Sequence, residues 1–351
     1  MGQTELLKRA ILGRAMRSEQ LGETLLPKRL ALPVFASDAL SSNAYATQEI
    51  LLVLALGGAV LTQFAPWIAL AVVVVFFVVV ASYRQNVHAY PSGGGDYEVV
   101  TTNLGAKAGV FVASALLIDY ILTVAVSIAS AVANIASAVP SVGEHKVAWA
   151  LGFIAFITAI NLRGVRESGA AFAIPTFGFM IGTYVMILLA LYRFSQGDVV
   201  QAESANWEIA PEATYGGAAL LFLLARAFSS GTTALTGIEA ISNGVPAFKK
   251  PKSKNAATTL LMLGVIATSM FSGITWLAIQ TGVKVTEHNE SLIGLPEGAQ
   301  QKTVIAQIAG AVFSEFPFGF FFMTTTTAMI LVLAANTAFN GFPVLGSILA
   351  R

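Results

Sequence analysis

Eight apolar stretches alternate with short polar ones along these 351 residues, near 31–56, 62–83, 107–139, 147–161, 170–192, 216–245, 256–281 and 303–336. A helix needs about twenty consecutive apolar residues to cross the roughly 30 Å hydrocarbon core of a bilayer. Most of the stretches meet that length, some with tilt. The fourth is short, and the third and eighth overrun, so their ends are expected to project into solvent. The pattern predicts an all-α polytopic membrane protein.

Polar residues inside these spans are few and grouped. Asp119 sits in the middle of the run Val110–Val139, where a carboxylate is costly and marks a functional site by default. Asp119, Thr123 and Ser127 follow at i, i+4 and i+8, one helical face, with Tyr120 beside them. Span 1 carries Asp38 about a third of the way in, and Tyr45 two turns on. Span 6 carries Thr236 and Glu239 at i and i+3. Around them, Phe35–Tyr45 and Ala227–Glu239 are rich in Ser, Thr, Asn and Gly, which compete for backbone hydrogen bonds and let helices open. Opened turns survive at membrane depth only where they line a cavity inside the protein. Breaks are therefore expected in spans 1 and 6. Because these positions correspond in two five-span halves of opposite insertion, an inverted repeat is expected. It divides the chain into an arm (1–30), a first repeat (31–192) and a partial second repeat (216–351).

Composition excludes several chemistries. Hydrophobic residues make up 56% and charged residues 11%, about half the charged share of a soluble domain. With no cysteine, disulfides, iron–sulfur clusters and thiolate chemistry are out, and three scattered histidines make a zinc site improbable. The first thirty residues lack the apolar core of a signal peptide. The net charge of +1 says little, but its distribution says much. Fifteen of the twenty Lys and Arg fall in the amino-terminal arm, the even loops and the carboxy terminus, and four (Lys146, Arg193, Lys284, Lys302) in the odd loops. Both termini are thus expected in the cytoplasm, with the protein in the plasma membrane.

Three intramembrane carboxylates against one intramembrane cation, Arg226, leave surplus negative charge. Two outcomes fit: a cation such as K⁺ or Na⁺ held by hard oxygens, or a proton retained on a buried carboxylate. Asp38 and Glu239 have the further alternative of capping broken half-helices. Arg226 is read as snorkelling or paired. Glu49 and Glu315, near span ends, are read as boundary residues. Ser92–Gly95 lacks the context of a phosphate loop and is read as a cytoplasmic re-entrant turn. Thr324–Thr327 offer a second ion or gate position.

The chain also resembles a known family. Ser37–Tyr45, Ser82–Gln85, Tyr90–Tyr97, Asp119–Ser127, Asn161–Gly164, Gly237–Phe248 and Leu333–Thr337 carry the likeness. They are similar to the amino acid–polyamine–organocation superfamily, closest to its KUP-type potassium–proton symporters. The resemblance implies a LeuT-like inverted-repeat fold, here its first eight helices with helices 1 and 6 broken. It implies an ion and proton path through Asp38, Tyr45, Asp119, Tyr120, Ser127, Thr236 and Glu239, to which the helical stripe adds Thr123, with K⁺ expected at Asp38, Tyr45, Asp119 and Thr236. Members have about twelve spans, and the importers add a cytoplasmic domain associated with dimerisation. This chain stops at Arg351, so a homodimer would form through a region absent from it, and the product is expected to be longer or truncated.

The leading expectation is a proton-coupled potassium importer working by alternating access, with Glu239, then Asp38, carrying the proton. Its partners are K⁺, H⁺ and lipid. No cofactor, nucleic acid or covalent chemistry is called for. The alternative is an amino-acid permease, cationic substrates included, although span 1 has no glycine between Ala31 and Leu56 to bare amides for a substrate carboxylate. A non-transporting sensor would leave the carboxylates without a role, and a channel would need a carbonyl filter that the sequence lacks. Asp38 and Asp119 are expected to line one cavity with Tyr45 and Thr236.

Overall fold

A computed structural model describes residues 28–93, 95–162 and 169–349. The arm up to residue 27, Gly94, Arg163, Arg166 and Arg351, on which part of the charge reading rests, lie outside the described residues. Helices α1 (Lys28–Ser41) and α2 (Ala46–Ala55) make up span 1, joined by a tight turn at Ser42–Ala44. Helix α3 (Ala65–Ala89) follows, then α4 (Asp96–Leu104), α5 (Ala106–Ala138), α6 (Lys146–Leu162) and α7 (Gly169–Ser195). Next come α8 (Gly217–Gly231) and the one-turn α9 (Glu239–Asn243), then α10 (Lys252–Gln280), α11 (Val304–Val312) and α12 (Pro317–Leu349). Two-residue strands, β1 (Glu208–Ile209) and β2 (Leu292–Ile293), pair antiparallel between loops, with Glu208 opposite Ile293. Apart from this ribbon, the regular structure is helical.

Six helical stretches among the described residues are long and apolar enough to cross a membrane, and α6 is a shorter apolar one. At 1.5 Å per residue its 17 residues reach roughly 25 Å, just short of the hydrocarbon core. The helices present apolar side chains both inward and outward. On α3, Ile68, Val72, Phe76 and Val80 repeat every four residues and are buried, while Trp67, Leu70, Val74 and Val78 stand exposed. Water would penalise that outer face heavily, whereas acyl chains do not. Such a surface belongs to a multi-pass membrane protein.

Span 8 needs correction. The apolar run at 303–336 is not one helix: α11 ends at Val312, the chain turns through Phe313–Phe316, and α12 starts at Pro317 and continues to Leu349. Pro317 takes the first helical position, where its missing N–H costs nothing. Glu315 falls in the turn and is exposed. The glycine-containing turn after α3 leads through Gly95 into a helix, α4.

Successive crossings alternate, so the ends near Arg84, Lys107 and Lys249–Lys254 share one face, hereafter the basic face. Helix α12 packs most extensively on α5, and α10 on α3. Near the basic face, Phe35 of α1 stacks on Phe248, ring centroids 5.4 Å apart, tying the first half of span 1 to the segment just after span 6. At the opposite face, Arg193 closes α11. Its guanidinium donates to the carbonyls of Ala311 (3.2 Å) and Val312 (3.0 Å), to Ser314 Oγ (3.0 Å) and to Asp198 (3.1 Å). This uses the planar fork at a helix carboxy terminus, where positive charge is favoured. Arg193→Lys cannot reproduce the fork and is expected to cost about 1–2 kcal/mol, seen as a lower thermal unfolding midpoint in detergent.

Candidate functional site

Hydroxyl side chains open both interrupted spans. Ser41 Oγ (2.6 Å) and Ser42 Oγ (3.3 Å) donate to the Asp38 carbonyl, the acceptor that a continuing helix would use. The chain tightens into the Ser42–Ala44 turn and restarts as a helix after Tyr45. In span 6 the hydroxyls of Thr232, Thr233 and Thr236 donate to carbonyls three residues back, at 2.6–2.9 Å. Thr236 then swings to ψ 146° and Gly237 to φ +80° before α9 begins.

The two interruptions touch. Ser42 Oγ lies 2.6 Å from Thr236 Oγ1 and 3.2 Å from Tyr45 Oη, a small hydroxyl cluster joining the spans. Gly237 sits directly on Asp38: a Cβ there would fall 2.7 Å from Asp38 Cβ and Cγ and 2.8 Å from the Ala39 nitrogen. Asp38 is 7% exposed, and its Oδ1 has no hydrogen-bond partner. A buried carboxylate oxygen left without a donor is costly unless a proton or cation occupies its vicinity.

Asp38 opens onto a cavity of about 580 Å³ that Tyr120 and the half-buried Glu239 also line. Its rim is formed by Ser92, Asp96, Glu98 and Asn340, so it faces the basic side. On the far side of the breaks, hydrogen bonds tie the helices to one another. Gln48 Oε1 and Ser137 Oγ accept from the Val304 and Thr303 amides at 3.0 Å, and Thr47 bonds Thr275 at 2.8 Å.

The remaining sequence-predicted residues are spread around this centre. Tyr45 is buried and Thr236 half-buried; both belong to the hydroxyl cluster and do not line the cavity. Asp119 is half-buried and does not line it either, since one residue turns a helix by about 100° and Tyr120 takes the cavity side. Thr123 and Ser127 are buried on α5, and Ser127 Oγ has no partner. Glu49 is half-buried. Arg226 lies on the exposed side of α8 and forms no ion pair among the described residues. Thr324, Thr326 and Thr327 donate to carbonyls of their own helix, the ordinary use of a hydroxyl in a membrane span.

Sequence reasoning missed three participants. Ser42 bridges the spans; its place one turn after Asp38 was the available signal. Asn43, wholly buried, leaves both amide atoms unpartnered. Asp96 joins the cavity rim with Tyr83 behind it.

A sequence profile described as Amino acid permease matches residues 32–351. Potassium transporter KimA of Bacillus subtilis (strain 168) is 41% identical over 345 residues, 98% of this chain and 54% of that protein. The chain thus spans about half the length of the curated relative it matches. It belongs to the amino acid permease family, within the amino acid–polyamine–organocation superfamily.

Proposed function

We propose that the protein is a proton-coupled potassium importer of the plasma membrane, working by alternating access with both termini in the cytoplasm. The observation that carries this reading is the unpartnered carboxylate oxygen of Asp38, held where two interrupted helices touch and sharing a cavity with Glu239. In a bilayer a lone charged carboxylate costs roughly 3 kcal/mol or more. Two in one cavity favour a bound cation, or a proton, over an empty charged site. Hard oxygens from Asp38, Tyr120, Glu239 and water suit an alkali ion. The cavity's opening toward the basic face corresponds to an inward-facing state in which the far gate is shut. The paired interruptions support a LeuT-like inverted repeat, 31–192 against 216–351. The printed name of the relative, a potassium transporter, supports the cargo.

The family description favours a second reading, an amino-acid permease. Against it, Asp38 lies at the span 1 break, where a substrate carboxylate would otherwise be received. The two readings separate in proteoliposomes. With the interior negative, ⁸⁶Rb⁺ is expected to accumulate, and external alanine or serine not to compete. Counterflow of a labelled amino acid without alkali-cation movement would overturn the potassium reading.

A further inference from the structure

The glycine-containing turn after α3 takes no part in the helix breaks, yet it lies hard against one of them. Gly93 has φ +109°, and a Cβ on it would come within 3.2 Å of the Asn243 carbonyl oxygen. A Cβ on Gly95 would fall 1.8 Å from Asn243 Oδ1. Asn243 is one turn beyond Glu239 on α9, so this close approach sets the turn beside the cavity. It also positions Asp96, the first residue of α4. Tyr83 Oη reaches from α3 to both Asp96 carboxylate oxygens, at 2.7 and 2.9 Å.

An acidic residue in the first turn of a helix has an ordinary explanation, the attraction of the helix amino terminus. Glu98 in the same turn serves that purpose too. Two observations give Asp96 more than that role. A single phenolic proton is shared between both Asp96 oxygens, leaving most of the carboxylate's lone pairs unfilled. Asp96 also lines the cavity that holds the unpartnered Oδ1 of Asp38, and Glu239 lines it with them. The exposed amides of Asn243 and Asn340 complete a set of oxygens at the mouth.

We propose that Asp96, fixed by Tyr83 and by the seating of Gly93 and Gly95 on Asn243, is a second binding position for the transported alkali cation, between the Asp38–Glu239 centre and the cytoplasm. This rests on the reading of the cavity as an inward-open cation path. An ion leaving a buried carboxylate directly for water gives up its charge partner in one step. A weaker half-buried carboxylate partway out divides that step, the multi-site logic by which ions both enter and leave a path.

Equilibrium binding of ⁸⁶Rb⁺ to the full chain, purified in detergent, tests the site. The unaltered chain should show two saturable classes. Asp96→Asn keeps an oxygen for Tyr83 but removes the charge, and should weaken the looser class about tenfold or abolish it while leaving the tighter class. Asp96→Glu should restore it. Unchanged binding in Asp96→Asn, or a single class in the unaltered chain, overturns the second position and leaves the importer reading standing. Loss of both classes in Asp96→Asn marks a structural role and also overturns it. An unaltered chain that binds no Rb⁺ refutes the importer reading and this inference together.

Discussion

Glu239→Gln is expected to cap ⁸⁶Rb⁺ accumulation at the level that membrane voltage alone supports, and to make uptake indifferent to an imposed pH gradient. Each elementary charge moving inward through 100 mV gains about 2.3 kcal/mol. A potassium ion alone can therefore be concentrated roughly fifty-fold at that voltage, and a potassium ion entering with a proton roughly two-thousand-fold. Glutamine keeps the size and hydrogen-bonding capacity of Glu239 but cannot release a proton. Glu239 lines the cavity at the start of α9, together with Asp38 and Asp96. Proteoliposomes with a fixed potassium diffusion potential, with and without an inward acid step, give the comparison. A mutant that still exceeds the fifty-fold ceiling and still responds to acid would move the proton site away from Glu239. Asp38→Asn, by contrast, removes the buried charge at the helix junction and should abolish uptake altogether.

Much of the bundle was legible because the signal was long. The runs that became α3, α5, α7 and α10 are apolar over more than twenty residues, and no soluble packing accommodates them. The interruption in span 8 was hidden by the same logic: Phe313, Phe316 and Phe318 keep hydropathy high across a turn, and only Ser314-Glu315 before Pro317 marks it. Asp38 and Glu239 could be picked out singly, since charge at membrane depth is rare. That they share a cavity could not, because it depends on Gly237 letting span 6 lie on span 1, a contact between residues about two hundred positions apart. Asp119 shows the opposite limit. Its helical face was readable, but whether that face or its neighbour at Tyr120 meets the cavity depends on how α5 is rotated against α12, which periodicity does not specify. Asp96 was overlooked for a simpler reason: it follows a glycine run in what hydropathy assigns to a solvent loop, and only its contact with Tyr83 and the cavity distinguishes it.

Gly237→Ala is expected to destabilise the fold and silence transport together. Two costs combine. The backbone there has φ +80°, which an L side chain adopts at about 1 kcal/mol or more. The new methyl would also stand 2.7 Å from Asp38 Cβ and Cγ and 2.8 Å from the Ala39 nitrogen, where comfortable contacts begin near 3.5 Å. Because the Ala39 nitrogen is helix backbone, no side-chain rotation relieves the contact, and the two breaks must separate. Overpacking of this kind costs about 1–3 kcal/mol, so the total is about 2–4 kcal/mol. Separation also pulls Thr236 away from Ser42, dissolving the 2.6 Å hydroxyl contact that ties the spans. Gly152→Ala is the matched control: it lies within α6, a Cβ there meets nothing within 4 Å, and alanine favours a helix by up to about 1 kcal/mol. Thermal unfolding in detergent should fall for Gly237→Ala and hold or rise for Gly152→Ala, with ⁸⁶Rb⁺ uptake lost only in the first. If Gly237→Ala unfolds and transports as the unaltered chain does, the close seating of Gly237 on Asp38 does not hold the site together.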